Sequence, residues 1–268
     1  MLSLARSLIV FAALALMNSS ARAVQVFDHI VVFGDSLSDN GNAGRASNGP
    51  VWVEHLAGRF GLALKPSRLG GSNFAVGGAR LDPRSGSTSL RAQASAYLRA
   101  PRPHGRILHI VYGGGNDLLA AVGQTQAPTM VDAAVASLRS IVADLVHQGA
   151  TDILVPNLPA IGITPAVQAQ GRGAVEAANK LAERFNGALD QALSGFAGRN
   201  GLRLHRFDVW QLAQRVRADP AAAGFVDITT PCGQHRRCEG YLFWDSVHPT
   251  TEAHQRLAEA AAQVLETR

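Results

Sequence analysis

An α/β fold with a central parallel sheet of about five strands is predicted by three observations in the 268-residue sequence. Short apolar runs rich in β-branched residues recur along the chain, as expected of strands buried on both faces. Segments with helical periodicity lie between them, and glycine and proline gather where one type gives way to the other. Strands that alternate with helices pack as one parallel sheet covered on both sides.

The elements follow in chain order. Ile30 to Phe33 is the first strand, and Val51 to Phe60 the first helix. Asn73 to Val76 is a weaker strand candidate, followed by a helix over Ser87 to Leu98. Ile107 to Tyr112 is a strand, Thr129 to Gln148 a helix, and Ile153 to Val155 a strand. A long helix near Ala174 to Leu193 precedes a second weak strand, Leu202 to Phe207, and then helices over Val209 to Val216 and Thr251 to Leu265. Gly70-Gly71, Pro101 to Gly105 and Pro156 to Pro165 fit the connections. No repeat, low-complexity tract or linker divides the chain.

Residues 1 to 23 are read as a signal peptide: Arg6 precedes an apolar run from Leu8 to Met17, and Ala21-Arg22-Ala23 has the small-x-small pattern of a cleavage site. Ten apolar residues are too few to cross a bilayer, which takes about 20 in a helix. Residues 24 to 268 are then expected to form one domain, exported to the periplasm or beyond, with at most peripheral membrane contact. With 47% hydrophobic residues the chain can bury a sizeable core.

The formal charge is +5, from 25 basic and 20 acidic residues; without Arg6 and Arg22 of the leader, 23 basic residues remain against the same 20. That mild excess is scattered and not interleaved with aromatic residues, so a nucleic-acid partner is not expected. The two cysteines, Cys232 and Cys238, lie in a stretch that otherwise reads as loop. In an oxidising compartment they are expected to form a disulfide, and two thiols without a second pair argue against zinc. Closing so short a loop is worth about 2 kcal/mol in the chain-entropy model.

Ligands of parallel α/β sheets bind beyond the carboxyl ends of the strands, so the residues just after each strand carry the functional argument. Gly34-Asp35-Ser36 follows the first strand. Taken alone, the serine could simply cap a helical turn, and a hydroxyl becomes a nucleophile only beside a base. Such a base stands in FWDSVHPT, where Asp245 is three residues before His248, a spacing that can bring the carboxylate onto the imidazole. The plain alternative is a turn-capping Asp245 with His248 at the surface.

YGGGNDLL carries Asn116 after the strand Ile107 to Tyr112 and lacks the glycine patterns of phosphate-binding loops. An asparagine there can aim its amide at a developing oxyanion. SNFAVGGAR places Gly77 and Gly78 after a short candidate strand, where a backbone N–H could serve the same end. The remaining histidines, His109 and His254 among them, form no ligand set and are read as structural or solvated, with no metal and no cofactor expected. Asp35 is read as a brace for its turn.

Together these stretches resemble the SGNH hydrolases, the GDSL esterase and lipase family. FGDSLSDNGN matches the first block of that family, NFAVGGA the second, GGGND the third and DSVHPT the last, in order and over nearly the whole chain after the leader. The resemblance implies a flavodoxin-like three-layer α/β/α sandwich. It implies Ser36 as nucleophile, His248 as general base and then acid, and Asp245 as the residue that orients His248. It also implies an oxyanion hole from the Ser36 N–H, a glycine N–H and the Asn116 side chain. Gly78, five residues after Asn73, is preferred as that glycine, with adjacent Gly77 the alternative.

The expected activity is a serine carboxylic-ester hydrolase acting through an acyl-enzyme on small-molecule or lipid esters, lysophospholipids among them. Acyl transfer to an alcohol and carbohydrate deacetylation belong to the same fold. A non-catalytic flavodoxin-like anion-binding protein is the alternative of a different class, and it leaves the D-x-x-H pair unexplained. The loops Asn157 to Gly171 and Val226 to Tyr241 are expected to shape the substrate site, helped by Phe243 and Trp244, with the disulfide holding one wall.

Overall fold

The structure, a computed structural model, describes residues 27–233 and 237–266; the proposed leader lies outside them. Strand β1 (His29–Gly34) pairs in parallel with β2 (Ile107–Tyr112), β2 with β3 (Asp152–Pro156), and β3 with β4 (Arg203–Phe207). The apolar runs of β1, β2 and β3 are buried on both faces, most completely in β3, which explains the absence of alternation in their sequences, whereas the edge strand β4 is only partly buried.

The fifth candidate, Asn73 to Val76, is not a regular strand, yet it completes the sheet. It runs along the outer edge of β1, with hydrogen bonds from Val32 N–H to the Ser72 carbonyl (3.0 Å), from Phe74 N–H to Val32 (2.8 Å) and from Val76 N–H to Gly34 (3.1 Å). Counted in chain order with this edge included, the sheet has the flavodoxin-like sequence 2-1-3-4-5. The strand order reverses between β1 and β2, and there the two crossovers leave in opposite directions and open a crevice.

Helices α1 (Trp52–Arg59), α2 (Leu90–Arg99), α4 (Ala127–His147), α6 (Arg172–Ser194), α7 (Val209–Ala218) and α8 (Thr251–Glu266) correspond to the predicted helices, with ends moved by a few residues. Ser89 caps α2, accepting from Ala92 N–H at 3.2 Å. Two further helices were not anticipated: α3 (Gly115–Ala121), hidden behind three glycines, and the short α5 (Pro165–Gln168). α1 packs with α8, and α4 packs with α2, α3 and α6, so helices flank the sheet. The buried side chains of the sheet and its helices form one continuous cluster.

The stretch around the cysteines is not simply loop. Asp227–Pro231 (β5) and Tyr241–Phe243 (β6) form a small parallel pair of their own. DITTP has little to bury, so its strand character comes from the partner and not from an apolar pattern. Cys232 and Cys238 are joined by a disulfide. It fastens the end of β5 to the turn before β6, and Cys232 N–H adds a bond to the Phe243 carbonyl (2.9 Å).

Candidate active site

β1 and β2 end level, Gly34 opposite Tyr112, so the residues that follow them emerge side by side. Gly34 leaves little room for a side chain: a Cβ there would lie 3.0 Å from the Tyr112 carbonyl oxygen and 3.1 Å from Ser38 Cβ, so a neighbour would have to give way. The Gln93 side chain grips its backbone: Oε1 accepts from Gly34 N–H and Nε2 donates to the Gly34 carbonyl, both at 2.9 Å. A single turn follows, with Ser38 and Asp39 N–H bonded back to the Asp35 carbonyl (3.0 and 2.9 Å). Ser36 stands at the top of that turn and does not cap a helix.

Asp35 braces the turn by accepting from Leu37 N–H at 3.0 Å. Its carboxyl is buried, which pushes its pKa up to about 6 against the Leu37 bond and the nearby His248.

Ser36 and His248 are 212 residues apart in sequence, and Ser36 Oγ lies 2.9 Å from His248 Nε2. His248 Nδ1 lies 2.7 Å from Asp245 Oδ2. The other carboxylate oxygen, Oδ1, accepts from Val247 N–H (2.8 Å) and His248 N–H (2.6 Å), so one side chain fixes both the backbone and the ring of the D-x-x-H turn. Burial raises the pKa of Asp245, but these hydrogen bonds outweigh it and hold the carboxyl below its ordinary value. The carboxylate accepts a hydrogen bond from Nδ1–H, which fixes the tautomer and leaves Nε2 as acceptor for the Ser36 hydroxyl.

The glycine pair is arranged by a residue that the motif reading passed over. Asp39, fully buried, accepts from Gly41 and Asn42 N–H through Oδ1, and from Ala43 and Gly77 N–H through Oδ2, the last at 2.8 Å. Gly77 N–H is therefore already engaged. Gly78 adopts a left-handed backbone (φ +76°) that favours glycine, and among the described residues neither its N–H nor that of Ser36 has a protein acceptor. Asn116 Nδ2 donates to the Ala79 carbonyl at 2.9 Å, leaving its second amide hydrogen available. Asp117 accepts from Leu81 and Asp82 N–H (2.9 and 3.1 Å), so the loop carrying Gly78 is tied down from both sides.

Asp39, Asp117 and Gln93 escaped the sequence reading because polar residues in turns and helices are common and their partners lie 38, 36 and 59 residues away. The Asp-Asn-Gly-Asn run after Ser36 was the one available signal, since aspartate favours bonds to N–H groups two residues on.

Ser36, Asn116 and His248 line one cavity of about 190 Å³ whose other walls are mostly apolar. Of the two loops expected to shape it, Leu158 to Thr164 forms a wall, whereas no described residue of Val226 to Tyr241 takes part. The small sheet contributes through Leu242 and Phe243 instead, and Trp244 is not in the lining. Ala166 N–H bonds the Ser246 carbonyl at 2.8 Å and joins the first wall to the D-x-x-H turn.

Of the histidines set aside by sequence, His109 and His254 are buried. His109 Nε2 meets the Tyr97 hydroxyl at 3.0 Å, and burial lowers its pKa to about 4. His254 is sealed beneath the site, where burial first and then neighbouring His55 and His248 push it down to about 3. Both are neutral at physiological pH. Among the described residues no group of three His, Cys, Asp or Glu side chains could hold a metal ion, and no helix is long and apolar enough to cross a membrane.

The chain resembles known proteins over most of its length. Residues 30–261 match the family model described as GDSL-like Lipase/Acylhydrolase. The chain is 28% identical to a phosphatidylcholine-sterol acyltransferase of Aeromonas hydrophila, with 94% of each chain covered. It is also 28% identical to a GDSL esterase/lipase of Arabidopsis thaliana, covering 85% of this chain and 88% of the relative. Among solved structures, the acetylxylan esterase Axe2 of Geobacillus stearothermophilus superposes with a TM-score of 0.57 at 18% identity, over 90% of this chain and 94% of that one. At that identity the likeness is one of fold.

Proposed function

This chain belongs to the GDSL-like lipase/acylhydrolase family and is a carboxylic-ester hydrolase, and from that premise we propose a Ser36, His248 and Asp245 acyl-enzyme mechanism acting on lipid-like esters. The observation that carries the proposal is the continuous hydrogen-bonded line from Ser36 Oγ through the imidazole to Asp245, opening into an apolar cavity.

His248 Nε2 takes the Ser36 proton as Oγ attacks the ester carbonyl, and Asp245 stabilises the imidazolium that forms. Negative charge develops on the carbonyl oxygen, where the N–H groups of Ser36 and Gly78 and the amide of Asn116 receive it. Gly78 is favoured over Gly77 because Asp39 already holds the Gly77 N–H. The imidazolium then protonates the departing alkoxide, and water, activated by the same base, releases the acid.

The apolar lining favours an acyl chain over a sugar, and lysophospholipids suit that chemistry. The likeness to an acyltransferase that acts on phosphatidylcholine and a sterol supports a second reading, in which an alcohol replaces water at deacylation. Export is supported by the leader pattern and by the disulfide, which suits an oxidising compartment.

The test is hydrolysis of p-nitrophenyl esters from acetyl to palmitoyl by the protein and by Ser36→Ala, with fluorophosphonate labelling alongside. Activity and labelling that both vanish in Ser36→Ala support the mechanism. A folded wild type that neither turns over nor labels refutes it. A cosubstrate alcohol that captures the acyl group in preference to water identifies the transferase.

A further inference from the structure

α7 carries Val209, Leu212, Ala213 and Val216 at helical spacing i, i+3, i+4, i+7, the pattern of a face made to pack on a core. Only Val209 is buried. All four line the cavity that holds Ser36 and His248. The apolar face of α7 therefore packs on the core through Val209 and Leu212 and at the same time borders space that a ligand can occupy.

Another wall of the cavity, Leu158 to Ile163, is firmly built. Asn186 clamps Leu158 through both its N–H and its carbonyl (2.9 and 2.8 Å), and Asn179 and Gln168 hold Gly162 (2.9 and 2.6 Å). α7 is anchored differently, at its amino end. Asn157 accepts from Trp210 N–H and donates to Asp208, both at 2.9 Å, and Asp208 caps the helix by accepting from Gln211 N–H at 2.9 Å. The result is an apolar trough with one wall pinned along its length and the other pinned at one end.

We propose that this face of α7 is the acyl-chain wall of the site, and that Leu212 and Val216 set its chain-length preference for straight-chain acyl esters. This rests on the ester-hydrolase mechanism above. From Val209 to Val216 the stripe rises about 10 Å, which matches an extended chain of about eight carbons.

Each methylene buried in the trough should raise kcat/KM about fourfold, up to octanoyl, and add little beyond it. The experiment measures kcat/KM for p-nitrophenyl acetate, butyrate, hexanoate, octanoate and decanoate. The wild type is compared with Leu212→Ala, with Val216→Trp and with Arg215→Trp on the solvent side of α7. Val216→Trp should lower the octanoate-to-acetate ratio at least tenfold by filling the trough. Leu212→Ala should flatten the gain per methylene, and Arg215→Trp should leave the whole profile as in wild type. A flat wild-type profile, or α7 variants that move acetate and octanoate by the same factor, overturns the assignment while Ser36-dependent acetate hydrolysis survives. Absence of Ser36-dependent turnover on every ester would instead sink the mechanism on which it rests.

Discussion

The two ends of the sheet handle buried carboxylates in opposite ways. At the amino end, Asp152 opens β3 with a fully buried side chain that receives two bonds each from Arg106 (2.8 and 3.2 Å) and Arg203 (2.7 and 2.8 Å) and one from Thr151 (2.9 Å). Burial works against its ionisation, yet His205, Arg203, Arg106 and Thr151 hold its pKa far below the ordinary range. At the carboxyl end, Asp35 is as deeply buried but has one backbone N–H from Leu37 and no arginine, so its pKa rises to about 6. The lesson is that the amino end spends its polar groups on one another, while at the carboxyl end, among the described residues, the Gly78 N–H and one Asn116 amide proton have no protein acceptor, where the proposed mechanism places the oxyanion.

The comparison can be broken at several points. The largest effect is expected from Ser36→Ala, a loss of about 10⁴-fold or more in kcat, with the melting temperature close to wild type. Asn116→Ala should lower kcat about 10²- to 10³-fold with a smaller change in KM, because its amide acts on the oxyanion. At the other end, Asp152→Asn should cost about 2–3 kcal/mol of stability by denaturant titration, since bonds from charged donors lose their acceptor. Its kcat should stay near wild type; a loss of kcat larger than the loss of stability would show the two ends to be coupled.

Smaller effects sharpen the contrast. Cys232→Ser should lower stability by about 2 kcal/mol. The β5–β6 pair carries Leu242 and Phe243 into the cavity wall, so KM for long-chain esters should change more than kcat. Unchanged KM would free the disulfide from any part in the site. Asp35 supplies the pH test. Its folded pKa lies above the ordinary value, so its contribution to stability is complete below pH about 4 and is lost as pH rises through about 6. Between pH 5 and 7 this amounts to about 1 kcal/mol, absent in Asp35→Asn. Asp152 acts in the opposite sense, losing its contribution only as pH falls below the ordinary carboxylate range.

Particular elements show how much of this was legible. Ile107 to Tyr112 could be read to the residue, because a strand buried on both faces reads as a near-continuous apolar run, interrupted here by His109. α3 was missed because its first turn starts among glycines, and β5 because its strand form depends on a partner strand and on the disulfide loop. The β1 edge at Asn73 to Val76 was legible as extended but not as irregular, since three bonds to β1 determine it.

By itself the sequence determined the alternation of strands and helices, the residue types placed after each strand and the order of the four blocks. These are local matters, settled by periodicity and by what glycine, serine, asparagine and histidine can do. Only the tertiary structure decided that Asp39 engages Gly77 and leaves Gly78, that Asp152 faces arginines while Asp35 does not, and that the apolar face of α7 borders a cavity as well as the core. Each of those depends on a partner tens of residues away, and no spacing along the chain encodes which partner the assembled sheet brings near.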